Sequence, residues 1–244
     1  MSLKHFLKTT LENLTGYYIH KRSDLPVGVD LKYDIQHKLR KIQLQTIFDV
    51  GANTGQTALK FAENYPHSRI YSFEPISATF RKLVENTRNA KHVICKNIAF
   101  GDKTERLEIS LFEDKDSELN SLVSFNMNAD SNSPRENIYV TTIDEFLTQN
   151  NIPEIDLLKI DTEGFEINVL NGAQNSLKHN KIKLIYVEVG LDNAVNKRHQ
   201  NFVDIQQYLS RNNFVFFGFY EIAHSLLPSR YHFSNALYVN ASFI

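Results

Sequence analysis

The chain has 244 residues, of which 42% are hydrophobic, and its 27 basic and 28 acidic side chains give a formal net charge of −1. This content supports a folded core and excludes a disordered chain, and balanced charge without a basic stripe argues against a nucleic-acid partner. The apolar runs fall far short of the ~20 residues of a membrane span. No signal peptide is visible, and the single cysteine excludes an intrachain disulfide. These features predict a soluble, cytoplasmic, globular protein.

Two helical patterns precede the first strand. Four leucines between positions 3 and 14 recur at helical spacing with lysines between them, and "LKYDIQHKLRKI" predicts a second helix. We expect the first helix to pack on the domain, and the alternative is a helix that lies on a membrane surface. Residues 1–44 are therefore assigned to an N-terminal helical extension, and residues 45–244 form the main domain.

From Thr46 onward, strands alternate with helices. The strand-like runs of this repeat are "TIFDV", "RIYSFEP", "HVICKNIAF", "IDLLKID" and "KLIYVEV". The middle of the chain adds "LEISLFE" and "IYVTTI", and the chain ends in "FVFFGFYE" and "NALYVN" with no helix between them. Strands that are apolar on both faces and alternate with helices form a parallel sheet covered on both sides. We therefore predict a doubly wound, Rossmann-like α/β fold whose mostly parallel sheet has an antiparallel last strand.

Ligands of such sheets bind at the carboxyl ends of the strands. Glu74 ends the second strand about 20 residues beyond a glycine turn, where an acid of these folds accepts hydrogen bonds from ribose hydroxyls. Alternatively, Glu74 only favours the dipole of the following helix. Gly51 and Gly55 frame "GANTG", which either allows a ligand to approach the backbone closely or forms a plain strand-to-helix turn. The loop matches neither a P-loop nor G-x-G-x-x-G.

Five segments together resemble the FkbM-type S-adenosylmethionine-dependent methyltransferases over roughly residues 25 to 240: "FDVGANTGQTA", "YSFEP", "NIAFGD", "LKIDTEGFEINVLNGA" and "NALYV". The resemblance implies a class I methyltransferase fold and O-methylation of a sugar or polyketide-like hydroxyl. It implies that Glu74 binds the ribose of the cofactor. It also implies that the methionine part is bound by Asp49, Gly51, Asn53 and Gly55. The corner with Asn97, Ala99 and Asp102 would then lie beside the adenine. Asn235 departs from the family, in which many members carry an acid before the last motif.

Methyl transfer to oxygen requires a positioned acceptor hydroxyl and a group that removes its proton. Asp161 and Glu163 of "KIDTEGFE" are the catalytic candidates because Asp161 ends the central strand. The alternative is that Glu163 caps a helix and Asp161 only orders the loop. His199 and His232 are alternative bases. Asp161 and Glu188 together suggest Mg²⁺ ligation, but no third ligand stands beside them in the sequence, so we predict no metal site.

Two polar segments, residues 114–137 and 191–201, are expected to line the acceptor pocket, and their Ser, Asn and acidic residues suit a glycan-like acceptor. A nicotinamide-dependent oxidoreductase and a degenerate, non-catalytic binding module are the alternative functions. The first would carry G-x-G-x-x-G, and the intact glycine turn with its two acids argues against the second. We therefore predict an S-adenosylmethionine-dependent O-methyltransferase, with S-adenosylhomocysteine as product, acting on a small-molecule or glycan hydroxyl.

Overall fold

The computed structural model describes residues 3–110, 134–191, 200–223 and 233–244. The helices of these ranges are α1 (Leu3–Thr15), α2 (Leu31–Lys38), α3 (Gln56–Asn64), α4 (Ser77–Thr87), α5 (Ile143–Gln149), α6 (Glu166–Asn171), α7 (Gln174–Lys178) and α8 (Phe202–Arg211). The strands are β1 (Thr46–Val50), β2 (Arg69–Phe73), β3 (Val93–Lys96), β4 (Ala99–Phe100), β5 (Glu105–Ser110), β6 (Arg135–Thr141), β7 (Ile155–Ile160), β8 (Ile182–Gly190), β9 (Phe214–Ala223) and β10 (Phe233–Asn240).

Seven of these strands form one sheet in the order β3-β2-β1-β7-β8-β10-β9. The pairs from β3 to β8 are parallel, and β10 runs antiparallel to both β8 and β9. The predicted doubly wound, mostly parallel sheet with an antiparallel last strand is confirmed, and it is the class I methyltransferase fold. The predicted third strand is divided, because β3 pairs with β2 whereas β4 joins β6 and β5 in a small second sheet.

Each face of the large sheet has its own hydrophobic core, because successive strand residues point to opposite faces. Phe48 packs with Phe73 and Phe146 on one face, and its neighbour Ile47 packs with Ile35 of α2 on the other. Every residue of β7 is buried, which explains why the central strands read as nearly continuous apolar runs.

Helix α5 is absent from the elements predicted above, although its start signal is present in the sequence. The Thr142 hydroxyl oxygen accepts a hydrogen bond of 3.1 Å from the backbone N–H of Glu145, and Thr followed three residues later by Glu is the pattern of a capping box. Phe146 and Leu147 bury the inner face of this helix.

The two helices of the predicted extension, residues 1–44, differ in their contacts. Helix α2 packs into the core through Ile35, and Leu39 directly after the helix joins the same core. The buried carboxylate of Asp34 accepts a hydrogen bond of 2.7 Å from the Tyr220 hydroxyl on β9. No residue of α1 is buried, so the expected packing of this helix on the domain is not observed. None of the helices within the described ranges is long and apolar enough to cross a membrane.

Candidate active site

A cavity of about 320 Å³ opens at the carboxyl ends of the central strands. Its wall is formed by the ends of β1, β2, β4 and β8 and by the loop after β7. Six of the predicted site residues line it: Gly51, Asn53, Glu74, Ala99, Asp161 and Glu163. The other four lie outside its wall: Asp49, Gly55, Asn97 and Asp102.

The turn after β1 brings the backbone of two strands unusually close together. The N–H groups of Gly51 and Ala52 both donate to the carbonyl oxygen of Phe73, at 3.1 and 2.9 Å. Gly51 has a φ of +79°, and a Cβ at this position would lie 1.7 Å from the carbonyl oxygen of Asp161. Only glycine therefore lets the end of β1 approach the residue that follows β7 so closely, and both Gly51 and Asp161 line the cavity.

We expect Gly51→Ala to lower the free energy of unfolding by about 1–3 kcal/mol more than Gly16→Ala does. Both glycines have positive φ, +79° and +71°, so both variants carry a left-handed backbone cost of about 1–2 kcal/mol. A Cβ at Gly16 meets no atom within 4 Å, which makes that variant the matched control. Urea unfolding of the two variants measures the difference, and equal losses would contradict the close approach of β1 and β7.

Glu74 joins the glycine turn to the end of β2. Its Oε2 accepts a hydrogen bond of 3.1 Å from the N–H of Asn53, and its Oε1 accepts one of 2.9 Å from the N–H of Ile76. Burial raises the pKa of Glu74 to about 7, although these two amides oppose the shift. An ionised carboxylate has about four acceptor positions, so Glu74 retains capacity to accept hydrogen bonds from a ligand in the cavity.

Three of the residues outside the wall have positions that explain their absence from it. The Asn97 side chain donates to the carbonyl oxygens of Glu74, at 2.9 Å, and of the following proline, at 2.8 Å, which fixes the end of β2. Gly55 has a φ of +99° at the start of α3, and a Cβ there would lie 3.0 Å from Leu83 on α4. Asp102 is exposed on the turn beyond β4.

Asp49, the fourth, lies in a polar row that crosses the sheet. Strand register places Ser72, Asp49, Lys159 and Tyr186 side by side on β2, β1, β7 and β8, and residues in register point to the same face. Burial raises the pKa of Asp49 to about 6, and the Lys159 ammonium opposes this shift. Asp49 therefore stands beside Lys159 within the sheet rather than on the cavity wall.

Lys159 is not among the predicted site residues, although it forms an ion pair with Asp161 on the cavity wall. Its ammonium group lies 2.5 Å from Oδ2 of Asp161, and its side chain is 4% exposed. Burial alone would lower the pKa of Lys159, but the carboxylates of Asp161, Asp49 and Glu188 raise it overall. The sequence signal was a lysine within the apolar strand "IDLLKI", because a charge in such a strand requires a partner.

Three carboxylates meet at the wall of the cavity. One oxygen from each of Asp161, Glu163 and Glu188 lies within 4.8 Å of the others, so Glu163 is the third acid that could not be placed beside the other two from the sequence. Carboxylate oxygens are ligands that Mg²⁺ accepts, and the Lys159 ammonium competes with such an ion for Asp161. The donor set therefore fits a divalent cation only in part.

The turn that carries Glu163 is held by a second buried acid. Glu163 has a φ of +53°, a left-handed conformation that costs a non-glycine residue about 1–2 kcal/mol. Glu166 accepts hydrogen bonds from the N–H groups of Thr162 and Gly164, on either side of the turn, at 3.1 and 3.0 Å. These bonds hold Glu163 at the cavity wall, and they assign Glu166 a supporting role that the sequence patterns did not indicate.

Several predicted features fall outside the described residues. His199 and His232, the alternative bases, are among them. Of the expected acceptor segments, residues 192–199 and 114–133 also lie outside, whereas residues 135–137 belong to β6 and not to a loop.

Two curated proteins are similar to this chain. It is 25% identical over 146 residues to the hexuronic acid methyltransferase AglP of Haloferax volcanii, with 60% of this chain and 57% of that protein covered. It is 28% identical over 152 residues to methyltransferase 1 of Beauveria bassiana, with 53% of this chain and 58% of that protein covered. The chain thus spans less than two thirds of the length of either relative.

A solved structure and a family model also match. The N-terminal domain of human METTL16, in complex with S-adenosylhomocysteine, superposes with a TM-score of 0.46 at 11% identity, covering 96% of this chain and 80% of that one. The model of the methyltransferase FkbM domain matches residues 49–216, which is more than half of the chain and includes every predicted site residue. The chain therefore belongs to the FkbM methyltransferase family, and its methyl donor is S-adenosylmethionine.

Proposed function

We propose that this protein is an O-methyltransferase that acts on a hydroxyl group of a sugar or glycan. The observation that carries the proposal is the pairing of two acids on one cavity wall, Glu74 at the end of β2 and Asp161 after β7. The first suits the ribose of the donor, and the second suits the acceptor hydroxyl. Similarity to a protein named as a hexuronic acid methyltransferase supports a sugar as the acceptor.

The wall residues fit the donor in three respects. Gly51 and Asn53 leave backbone close to the cavity, where the methionine part would lie, and Glu74 retains acceptor positions for ribose hydroxyls. Ala99 and Phe100 of β4 add apolar surface of the kind that holds a purine ring. The cluster of Asp161, Glu163 and Glu188 on the wall favours a ligand with positive charge, and this donor carries a cationic sulfur.

When bound, S-adenosylmethionine supplies a methyl group to the acceptor oxygen by direct displacement, as the carbon–sulfur bond breaks and leaves its electron pair on sulfur. In our proposal, Asp161 accepts the proton of the acceptor hydroxyl. The Lys159 ammonium, 2.5 Å away, holds this carboxylate in position. Proton uptake also relieves repulsion between Asp161 and the nearby carboxylates of Glu163 and Glu188.

Neutral side chains on the wall suit a hydroxylated acceptor. Gln56, Thr57, Thr79 and Thr162 line the cavity, and each can donate or accept a hydrogen bond. The three clustered acids disfavour an anionic group next to Asp161, because like charges repel in a partly buried site. We therefore expect transfer to a neutral sugar hydroxyl rather than to a carboxylate.

The proposal is tested by incubating the protein with methyl-labelled S-adenosylmethionine and three acceptor sets: neutral oligosaccharides, hexuronic acid oligosaccharides and hydroxylated polyketides. We expect the label as a methyl ether on a sugar oxygen. Label found as a methyl ester, or only on the polyketides, would contradict the proposed acceptor group, and label on none of them would favour a binding module.

The same assay after exhaustive chelation tests the three-acid cluster. We expect unchanged turnover, because Lys159 already neutralises Asp161. If turnover instead falls after chelation and returns with Mg²⁺, and if Mg²⁺ does not restore turnover in Glu163→Gln, the cluster binds a metal ion.

A further inference from the structure

Helix α1 presents an apolar face that nothing in the described protein covers. Leu3, Phe6, Leu7, Leu11 and Leu14 are all exposed, Leu14 at 78%. At 3.6 residues per turn these five side chains fall within an arc of about 140° on the helix. Such a stripe on a helix that has no buried residue is the pattern of an interaction surface.

The end of the helix extends this surface with aromatic side chains. Gly16 adopts a φ of +71° and its N–H donates to the Glu12 carbonyl oxygen at 2.9 Å, which ends the helix. The N–H of Ile19 returns to the Glu12 carboxylate at 2.9 Å. This leaves Tyr17 and Tyr18 exposed, at 75% and 88%, and amphipathic aromatic rings are enriched where protein meets the headgroup region of a bilayer.

The threonine hydroxyl groups of α1 form hydrogen bonds within the helix. Thr9, Thr10 and Thr15 each donate a side-chain hydrogen bond to the carbonyl oxygen four residues earlier, at 2.7–3.0 Å. Lys4 and Lys8 lie at one border of the apolar arc, and Lys8 forms an ion pair of 3.6 Å with Glu12. Lysines in this position can extend their ammonium groups towards phosphate headgroups.

The charge of this segment is opposite to that of the rest of the chain. Residues 3–22 contain four basic side chains and one acid, a net charge of +3, whereas the whole chain carries −1, so the remainder carries −4. An anionic lipid surface attracts the segment and repels the rest of the protein, which favours shallow binding through the segment alone. Pairing of α1 with the α1 of a second copy is disfavoured by charge, because both segments carry +3.

We propose that residues 3–22 form a docking element for anionic lipid bilayers, with α1 lying in the plane of the surface. In this arrangement the apolar side chains of α1 insert into the bilayer surface, and the lysines and Arg22 face the lipid headgroups. Tyr17 and Tyr18 lie at the level of the headgroups. The proposal is independent of the proposed function, because none of these residues lines the cavity.

Flotation of the full chain with vesicles tests the proposal. We expect binding to vesicles of phosphatidylcholine with phosphatidylserine, weaker binding to phosphatidylcholine alone, and a decrease with rising salt. The variant Leu7→Ser/Leu11→Ser should lower the bound fraction at least about tenfold, whereas Val203→Ser, at an exposed position on α8, should leave it unchanged. No buried residue is altered in either variant, and thermal unfolding should confirm that both remain folded.

Two results would overturn the proposal. One is equal flotation of the wild type and Leu7→Ser/Leu11→Ser. The other is no vesicle binding together with a concentration-dependent dimer in solution that Leu7→Ser/Leu11→Ser dissociates, because that outcome assigns the apolar arc to a second copy of the chain.

Discussion

Asp161→Asn is expected to lower turnover about 10²–10⁴-fold, the range for loss of a general base, while S-adenosylhomocysteine affinity stays within about twofold of wild type. The amide has the shape of the carboxylate but cannot take the hydroxyl proton. The fold should survive, because Asp49 and Glu188 continue to neutralise Lys159. Steady-state kinetics give the turnover number, and calorimetry gives the affinity.

Two variants serve as controls for this experiment. Asp204→Asn removes an exposed carboxylate of α8 that does not line the cavity, and should leave turnover unchanged. Glu163→Gln removes the second catalytic candidate. If turnover holds in Asp161→Asn and falls in Glu163→Gln, the base is Glu163, and the assignment of Asp161 is wrong.

Glu74→Ala is expected to weaken S-adenosylhomocysteine binding by about 1.5–3 kcal/mol, the range for hydrogen bonds to a charged group, or roughly 10- to 150-fold in Kd. The carboxylate accepts hydrogen bonds from the Asn53 and Ile76 amides at the cavity wall. Its loss therefore removes the hydrogen-bond acceptor for the ribose and also the bonds that hold the glycine turn in place. Glu74→Gln keeps the shape and should fall between wild type and Glu74→Ala. Unchanged affinity in a folded Glu74→Ala would remove this residue from the donor site.

The ionisation of Glu74 gives the same experiment a pH dependence. Burial raises the pKa of this carboxyl to about 7, and the ionised form accepts hydroxyl hydrogen bonds best. Below that pH, binding must first remove a proton, so wild-type affinity should increase between about pH 6 and 8. Glu74→Gln has no such proton, and its affinity should be flat over this interval. A slope that persists in Glu74→Gln would place the titrating group elsewhere.

The sheet and much of the cavity wall could be predicted because they follow from local patterns and one topological rule. Strand runs that alternate with helical spacing define a doubly wound sheet, and the rule that ligands bind at carboxyl ends of strands then selects Gly51, Glu74 and Asp161. Helix α5 was predictable too, since Thr142 and Glu145 have the spacing of a capping box.

The remaining features depend on contacts between distant parts of the chain. Asp49 stands beside Lys159 because β1 and β7 pair in one particular register, and no local pattern determines that register. For the same reason Glu163 could not be placed next to Glu188 before the fold was known. The apolar face of α1 is visible in the sequence, but its spacing is the same whether the partner is the protein's own core or another surface.

Calorimetric titration of the full chain with S-adenosylhomocysteine, with NADH as the control, tests most directly the claim that the cavity between Gly51 and Glu74 holds the methyl donor. Micromolar binding of S-adenosylhomocysteine that Glu74→Ala weakens, with no heat from NADH, is the predicted result. Binding of NADH, or S-adenosylhomocysteine binding that Glu74→Ala leaves intact, would contradict it.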